Sequence, residues 1–451
     1  MILPERLKQL NDRPTASGEY VLYWMQQSQR AEYNHALEYA IGEANRVNLP
    51  LLVVFGLMDD YPEAYLRHYA FMLEGLAEAQ ATLAARGIKL AVQRGSPADV
   101  AFQHSSKAAL IVCDRGYKRH QKAWRARVAE KASCSVVQVE SDVVVPVETA
   151  SSKAEYAART FRLKINRHLP RFLVELVPVR LKHASLGLRI DSMELGNLEK
   201  VLGELKLDRS VAPVPEFFRG GTAVGKARFD QFIAGNLQRY KENRNQPGTD
   251  HVSHMSPYLH FGQISSLYLA LKAQQAMYGN EENAQAFLDE LIVRRELSMN
   301  FVEYTDNYDA YICVPEWARI TLKAHQRDRR EHTYTRNELE TGVTHDEYWN
   351  AAMMELKVSG YMHNHMRMYW GKKILEWSST PEAAFTTILA IMNKYFLDGR
   401  DANSYANVAW LFGTHDRPWF ERPVFGTVRY MAAIRTQATE LREAVRVGKP
   451  F

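Results

Sequence analysis

Tryptophan is the residue type in this sequence with the clearest redox chemistry, because an indole ring can lose one electron and persist as a radical. Trp370 and Trp377 are seven residues apart, so one helix would place them on a common face, about 10.5 Å apart along its axis. Trp349 would come from the preceding helix. Large aromatic residues at helical spacing usually belong to a packed core. The spacing alone therefore favours core packing and leaves an electron relay as the alternative.

A second group of residues could bind phosphate. Asp250, Ser253 and Ser256 cluster directly before Pro257, and proline is favoured in the first turn of a helix. Free backbone N–H groups and hydroxyls at such a helix start can bind an anion. For an isolated Ser-Pro pair, a plain N-cap is the better explanation.

The first half of the chain should form a parallel sheet that positions these groups. Apolar runs alternate with helical runs from residue 20, in the order βαβα. This order predicts a doubly wound fold with helices on both faces and a ligand crevice beyond the carboxyl ends of the strands. The predicted strands are YVLYWM, LPLLVVFGLM, IKLAVQ, ALIVCD and CSVVQV. The sequence contains neither a G-x-G-x-x-G nor a Walker A motif, so it gives no support for phosphate binding of the dehydrogenase or NTPase kind.

The second half of the chain reads as almost entirely helical. Between about 177 and 225 the periodic signals fade into mixed charge with scattered Pro and Gly. The expected organisation is an α/β domain at 1–176, a linker at 177–225 and an all-α domain at 226–451. Its main helical segments are ARFDQFIAGNLQRY, QAFLDELIVRRELSMNF, HDEYWNAAMMELKVSG, RMYWGKKILEW and PEAAFTTILAIMNKYF.

Composition narrows the function classes further. The 451 residues carry a net charge of only +5, which by itself does not indicate nucleic acid. No apolar run approaches the roughly 20 residues of a membrane span, and the N-terminus lacks signal-peptide features, so we expect a cytoplasmic location. Three cysteines are too scattered for a disulfide framework or zinc site. His345, His363 and His365 lack a completing carboxylate or thiol, so we expect no metal.

Several motifs together resemble the photolyase and cryptochrome family. SPYLHFG at 256–262 is similar to the family signature that lies over FAD, and SGYMHNHMRMYWGKKILEW with LDGRDANSYANVAW resembles its flavin-binding stretches. YVLYWMQQSQRAEYNHALEYAI and LRHYAFMLEGLAEAQATL resemble class II cyclobutane pyrimidine dimer photolyases in particular. The resemblance spans roughly residues 15 to 430. It implies an N-terminal doubly wound domain and a C-terminal helical FAD-binding domain.

The resemblance implies a set of FAD-binding residues. Arg367 and Asp398 match an ion pair beside the isoalloxazine ring, although such a buried pair is equally compatible with a purely structural role. Asn393 corresponds to the asparagine that faces flavin N5, but the stretch is one residue shorter than in the family, and without a gap Met392 takes that place. The remaining FAD-binding positions are Tyr240, Ser253, Met255, Ser256, Arg294 and Asp401.

The same resemblance implies an electron relay and a lesion pocket. The relay would run from Trp377 at the surface through Trp349 to Trp370 beside the flavin. Trp410 would stack on the dimer, while Glu290 would accept its hydrogen bonds and Met368 would line the pocket. On its helix Glu290 could equally form an ordinary pair with Arg294. Val293, Arg294 and Arg295 stand where many photolyases have a second aromatic wall.

DNA contacts complete the predicted site. Arg244 and Asn245 would contact phosphates, which fix register without reading sequence. A further set resembles the class II HD-x-x-W and RYM elements: Asp416, Trp419, Arg429 and Tyr430. The segment after these residues lacks the basic ending that we expect. Whether the protein binds a second, light-harvesting chromophore is left open, since no residue of the sequence identifies a site for it.

The sequence thus predicts a monomeric enzyme that repairs cyclobutane pyrimidine dimers in DNA by electron transfer from light-excited reduced FAD to a flipped-out lesion. We expect it to associate with the nucleoid through DNA. The alternative is a cryptochrome-like FAD photoreceptor without repair, for which a long C-terminal extension would be the sign. A dark flavin enzyme or electron-transfer protein would have little use for a tryptophan relay.

Overall fold

A computed structural model describes residues 2–432 and contains one six-stranded sheet. Its strand order is β1-β6-β5-β2-β3-β4, and all neighbours are parallel except β1 and β6. The strands are β1 (Leu7–Gln9), β2 (Tyr20–Trp24), β3 (Leu51–Leu57), β4 (Lys89–Arg94), β5 (Ala108–Asp114) and β6 (Ser135–Val139). The predicted doubly wound fold is confirmed. Strand β1 escaped prediction because its three residues, LKQ, form no apolar run.

Helices cover both faces of this sheet, so its central strands are wholly buried and read as continuous apolar runs. The helices of this part are α1 (His35–Val47), α2 (Leu66–Ala85), α3 (Pro97–Ser105), α4 (Arg119–Lys131), α5 (Val147–Ala150) and α6 (Ala158–Phe172). Helix α6 packs its apolar face into a core shared with the second half, where Arg162 also pairs with Asp289 at 2.6 Å.

The segment 177–225 packs along the first half of the molecule. It contains α7 (Leu198–Glu204) and the start of α8 (Thr222–Gln231). Leu195, Val201 and Leu205 are buried in the core beneath the sheet. The predicted linker therefore has its own anchoring side chains, and the boundaries at 176 and 225 remain predictions.

In agreement with the sequence, the second half is helical throughout the described residues. Its helices after α8 are α9 (Tyr240–Asn243), α10 (Ser256–His260), α11 (Ser266–Gln275), α12 (Glu281–Leu288), α13 (Arg295–Tyr304), α14 (Glu316–Ala324), α15 (Arg336–Thr341), α16 (Glu347–Ser359), α17 (Asn364–Trp377), α18 (Pro381–Tyr395) and α19 (Ala402–Leu411). The predicted helix QAFLDELIVRRELSMNF is interrupted by a π-helical turn over Asp289–Arg294. Such turns often occur at functional sites, and this one carries Glu290 and Arg294.

Buried charges join the two halves. Arg295 pairs with Asp142 at 2.9 Å, and Arg30 donates to the carbonyl of Gly262 at 2.9 Å. The Glu296 carboxylate accepts hydrogen bonds from the backbone N–H groups of Val144 and Val145, at 2.5 and 3.2 Å. Burial raises the pKa of Glu296 to about 8. These contacts hold α13, and the π-helical turn before it, in a fixed position against the sheet domain.

Gly262 is the point of closest approach between the SPYLHFG segment and the sheet domain. Its φ of +63° is a left-handed conformation, and a Cβ there would overlap the carbonyl oxygen of Gln27. We expect Gly262→Ala to lower the free energy of unfolding by at least about 2 kcal/mol, since it adds backbone strain to a steric clash. Chemical unfolding measures the change.

Gly203→Ala is the control, because Gly203 lies within a helix and a Cβ there would meet open space. It should be neutral or slightly stabilising. Equal stability of the two variants would contradict a tight contact at Gly262.

Candidate functional site

A cavity of about 660 Å³ lies among the helices of the second half, within the range of about 300–1,000 Å³ typical of cofactor sites. The residues that line it come from six separate segments of the sequence. They include eight of the residues predicted to contact FAD, which are all of that set except Asn393: Tyr240, Ser253, Met255, Ser256, Arg294, Arg367, Asp398 and Asp401. Three residues predicted for the lesion pocket also line it: Glu290, Met368 and Trp410.

Helix α10 begins at Ser256 on one wall of this cavity, with Pro257 in its first turn. No side chain caps its first N–H groups, although Ser253 and Ser256 both line the cavity. Helix α10 has only five residues, so the hydroxyls and neighbouring side chains, rather than the helix dipole, are the groups able to bind a phosphate. The structure places the predicted serines where a ligand could reach them.

The opposite wall carries the buried pair of Arg367 and Asp398. Arg367 Nη2 donates to both carboxylate oxygens at 3.2 and 3.1 Å, and the two residues are 4% and 6% exposed. The guanidinium lies 4.0 Å from the centre of the Phe396 ring. Arg367 Nε is buried and has no hydrogen-bond partner among the described residues. The arginine therefore keeps one donor for a ligand.

Asp401 and His260 form a second pair on the cavity wall. Nδ1 of His260 donates to Asp401 at 3.2 Å, and Asn403 N donates to the other carboxylate oxygen at 2.8 Å. Burial disfavours ionisation of Asp401, but the hydrogen bond from His260 and the charge of Arg295 outweigh it and lower its pKa to about 2. Asp401 is thus a fixed negative charge. His260, which stands in the SPYLHFG motif, was not singled out from the sequence.

Asn393 does not line the cavity, which corrects the prediction that it faces a bound flavin. Its amide donates to Glu63 at 2.6 Å and its oxygen accepts from the backbone N–H of Arg400 at 2.9 Å. Met392 is likewise packed in the core. The asparagine that does line the cavity is Asn403, whose Oδ1 accepts from Ser298 at 3.0 Å. The motif DGRDAN contains Asn403, but no local signal separates it from Asn393.

Trp370, Trp349 and Trp377 form a continuous chain of rings. Trp370 and Trp349 are stacked with centres 5.9 Å apart and planes 9° apart, and Trp349 meets Trp377 edge-on at 5.5 Å. Trp370 lies one turn beyond Arg367 on α17, so its ring is on the side of the cavity. The rings follow one another in the predicted order, and their role in electron transfer stays a prediction.

The outer end of this chain is covered, so the sequence-based placement of Trp377 at the surface was wrong. Trp377 is only 3% exposed. The ring of Tyr334 lies 5.3 Å from it, as does that of His345. The Tyr334 hydroxyl bonds to His345 Nδ1 at 2.7 Å, and His345 is exposed. The covering residues lie in the loops on either side of α15, which ring spacing on α17 could not reveal.

Glu290 pairs with a different arginine from the one its helix suggested. Its carboxylate contacts Arg244, which lies 46 residues away on another helix. Arg294 lies 3.8 Å from Asp289 instead. The π-helical turn alters the register that an i,i+4 pair requires. Arg244, Asn245 and Arg429 also line the cavity mouth, so predicted lesion and DNA residues share one rim.

Trp410 lies near two cations at the end of α19. Lys372 Nζ and Arg429 Cζ are each 5.6 Å from the centre of its ring. Lys372 is 1% exposed and donates to the carbonyl of Leu411 at 2.5 Å. Burial lowers the pKa of Lys372 to about 7, with the nearby Asp416 opposing and Arg429 reinforcing the shift. No motif in the sequence marked this lysine.

The buried amine of Lys372 makes a pH-dependent contribution to stability. Its folded-state pKa of about 7 lies below the value of about 10.4 expected in the unfolded chain. Between these values the unfolded state binds more protons, so the free energy of unfolding rises with pH. Relative to Lys372→Met, the wild type should gain about 1.4 kcal/mol per pH unit above pH 7, measured by chemical unfolding between pH 6 and 9.

Lys241→Met serves as the control for the loss of a lysine side chain as such, because Lys241 is an exposed residue paired with Glu282. A stability difference between wild type and Lys372→Met that does not change with pH would contradict the lowered pKa of the Lys372 amine.

The predicted DNA residues outside the cavity lie beside its mouth. Trp419 is 39% exposed, and its Nε1 donates to Asp416 at 3.2 Å. Arg429 lies 5.0 Å from the centre of the Trp419 ring. Tyr430 packs on Phe425 at 5.1 Å between ring centres. The atypical segment at 433–451 lies outside the described residues.

Residues 2–432 contain neither a metal-binding cluster nor a membrane-spanning helix. No group of three or more His, Cys, Asp or Glu side chains is arranged to hold a metal ion. No helix in that range is both long and apolar enough to cross a bilayer.

A second, smaller cavity of about 110 Å³ lies at the carboxyl ends of β2 and β3, where the doubly wound fold is expected to bind ligands. Aromatic rings dominate its wall: Phe55, Tyr61, Tyr69, Trp124 and Phe261. Both amide atoms of Gln26 are buried there without a hydrogen-bond partner among the described residues. His260 lines both cavities.

Comparisons with known proteins agree with this architecture. The sequence profile of a family described as DNA photolyase matches residues 21–182. The chain is 49% identical to the deoxyribodipyrimidine photo-lyase of Methanothermobacter thermautotrophicus over 435 residues, which cover 96% of this chain and 95% of that protein.

Solved structures share the fold. A bacterial class III photolyase from Agrobacterium tumefaciens superimposes with a TM-score of 0.73 at 19% identity, covering 90% of this chain and 83% of that one. An archaeal photolyase from Sulfolobus tokodaii, described with two FAD molecules, gives 0.70 at 18% identity over 94% and 88%. At these identities the likeness extends to the fold alone.

Proposed function

This chain belongs to the DNA photolyase family, and from that premise we propose that it splits cyclobutane pyrimidine dimers in DNA with an electron from light-excited, reduced FAD. The main observation in favour of this proposal is that residues predicted for FAD and residues predicted for the lesion line the same cavity. Arg367 with Asp398 and the indole of Trp410 line the same space, so a flavin and a stacked lesion could meet there.

The cavity residues fit FAD. Arg367 offers an unpartnered, buried Nε, which an acceptor atom of the ring system would satisfy. Serine hydroxyls and Arg294 on the opposite wall suit phosphates. The volume of about 660 Å³ is adequate for a cofactor site. When bound, FAD supplies light absorption and one-electron chemistry, while the protein orients it and excludes water.

The side chains have separate tasks in this proposal. Arg367 keeps positive charge beside the ring and so favours a negatively charged, reduced cofactor. Asp398 and Asp401 hold the donors that orient it. Trp410 stacks on the extruded pyrimidines, Glu290 accepts hydrogen bonds from their edges and Met368 fills the apolar wall. Photolyases are among the enzymes that take a base out of the duplex.

We also propose a place within the family. The first-half segments YVLYWM and LRHYAFMLEG, together with Trp349 at its distance from Trp370, support class II membership. The likeness to the class III photolyase structure is evidence for the fold alone. Repair is favoured over photoreception alone because Glu290 and Trp410 face one cavity.

A repair assay tests the proposal. The purified protein, reduced and illuminated, should restore oligonucleotides that carry a cyclobutane dimer, and it should leave them unchanged in the dark. An oligonucleotide with a (6-4) lesion should stay unrepaired in both conditions. A protein without flavin absorption would refute the whole proposal, whereas photoreducible flavin without repair would indicate the photoreceptor.

For a light-harvesting chromophore we propose the second, aromatic cavity. Its volume of about 110 Å³ is below that of a typical ligand site, so the flexible Met and Gln side chains of its wall must move to admit one. The test is the absorption of the purified protein and of Met25→Trp, in which the cavity is filled. A band beyond FAD that is present in the first and absent from the second supports the site, and a band that persists contradicts it.

A further inference from the structure

Trp410 and Trp370 differ in their electrostatic surroundings. Trp410 lines the cavity itself and has Lys372 and Arg429 at 5.6 Å from its ring centre. The stacked pair of Trp370 and Trp349 contacts other aromatic rings, and no lysine or arginine lies over either ring among the described residues. An excited cofactor in the cavity would therefore have one shielded and one unshielded indole as possible electron donors.

Building on the proposed function, we propose that Lys372 and Arg429 protect Trp410 from oxidation by light-excited FAD and so direct electron withdrawal to Trp370. Both residues act through Trp410 and are positioning residues for the electron path. This protection of Trp410 acts during activation of the enzyme, when oxidised FAD must be reduced before repair.

The physical reason is the charge that oxidation creates. One electron leaves an indole ring and reduces FAD by one electron, and the ring is left as a radical cation. Arg429, and Lys372 at a pH below its pKa of about 7, carry positive charge close to Trp410 and repel that radical cation, and in a buried setting the repulsion is weakly screened. The same cations are attracted to the neutral ring, so they stabilise its unoxidised form. Oxidation of Trp370 meets no such repulsion, because no lysine or arginine lies over its ring among the described residues.

The destination of the positive charge also differs. From Trp370 it can pass to Trp349 and then to Trp377, which Tyr334 covers with a partly exposed ring 5.3 Å away, before a thiol in solution returns an electron through that ring. From Trp410 it would remain beside the lesion pocket. A shielded Trp410 therefore keeps the stacking ring chemically intact while the relay operates.

Lys372 is held in place for this task. It extends from α17, is 1% exposed, and donates to the carbonyl of Leu411 at 2.5 Å, next to Trp410 in sequence. The charged groups that face it are Asp416 and Arg429, and Arg429 in turn faces His365. The charge of Lys372 is therefore close to the Trp410 indole, and Asp416 and Arg429 are the charged groups that act on it.

The first test is a gain of function in a protein that lacks Trp370. Photoreduction of bound FAD with a thiol present should be slow in Trp370→Phe and at least about tenfold faster in Trp370→Phe/Lys372→Met. Adding Trp410→Phe should remove the gain. Trp370→Phe/Lys372→Arg retains the charge and should show none. A purely structural role for Lys372 predicts only losses.

The second test needs no change at Lys372. In Trp370→Phe, photoreduction should accelerate between pH 6 and 9, because the amine, with a pKa lowered to about 7 by burial, loses its charge. The profile of Trp370→Phe/Lys372→Met should be flat. Asp416, Arg429 and His365 are present in both proteins, so the difference reports on Lys372. The unfolding experiment described above gives its charge state without photochemistry.

Equal rates in Trp370→Phe with and without Lys372, together with matching pH profiles, would overturn the proposal. If the double variant loses FAD, the pH profile of Trp370→Phe alone decides: a flat profile refutes the shielding. Failure of the proposed function is distinct, because the wild type itself would then lack a flavin band or light-driven flavin reduction.

Discussion

Replacing Trp370 with phenylalanine should slow photoreduction of oxidised FAD by more than about a hundredfold, which corresponds to about 2.7 kcal/mol of barrier. Phenylalanine retains the aromatic packing but lacks an oxidation potential within reach of the excited flavin. Trp349, stacked at 5.9 Å from Trp370, would then be the nearest member of the chain and would have to react across a longer gap. Absorption spectra under illumination with a thiol measure the rate.

The fold should tolerate this substitution. Nε1 of Trp370 is buried without a hydrogen-bond partner among the described residues, so its removal leaves no polar group unpaired. The bond from Trp349 Nε1, at 3.0 Å, goes to the backbone carbonyl of residue 370 and survives the exchange. Repair by enzyme that has been reduced chemically beforehand should therefore remain largely intact.

Trp317→Phe is a matched control. Trp317 is partly buried, whereas Trp370 is fully buried, and like Trp370 it has an unpartnered Nε1 among the described residues, but its ring is not part of the stacked chain. Photoreduction in this variant should match the wild type. An unchanged rate in Trp370→Phe would show that the stacked rings are core packing and that electrons reach the flavin by another route.

Arg367→Met should cost about 3–5 kcal/mol of stability, because it leaves the Asp398 carboxylate buried and unpaired. The arginine makes both hydrogen bonds to that carboxylate and packs on Phe396. The variant should also lose bound FAD, since the cavity then has a negative wall where the proposal requires a positive one. Chemical unfolding and the flavin content after purification measure the two effects.

The double variant Arg367→Met/Asp398→Asn separates structure from function. Removing both charges should restore most of the stability, as replacing buried ion pairs by neutral groups often does. It should not restore light-driven repair, because the positive charge beside the ring is still missing. A double variant that retains FAD and repairs dimers as the wild type does would reduce the pair to a structural role.

Some features required the whole structure because they join residues that are distant in sequence. Asn393 contacts Glu63 across 330 positions, Glu290 contacts Arg244 across 46, and Lys372 reaches the end of α19 from α17. Sequence patterns report local periodicity, whereas these partners depend on how helices pack. For this reason the predicted role of Asn393 at the flavin was wrong, and the sequence did not indicate Lys372.

The sequence by itself determined the chemistry that is available. Apolar runs of strand length specified β2 to β6, and the resemblance to the photolyase family named the residues predicted for FAD, all of which except Asn393 line one cavity. The same resemblance named three tryptophans as a redox chain, whereas their spacing alone favoured core packing. Strand-length runs and short motifs are local features, so the sequence is enough to recognise them.

Only the tertiary structure decided how that chemistry is directed. It covered Trp377 with Tyr334 and His345, stacked Trp349 on Trp370, and placed two cations at Trp410 while leaving the inner tryptophans without any among the described residues. The energy of an electron on one ring depends on the charges around it in space. Those charges come from separate helices, and their distances are fixed only when the core packs.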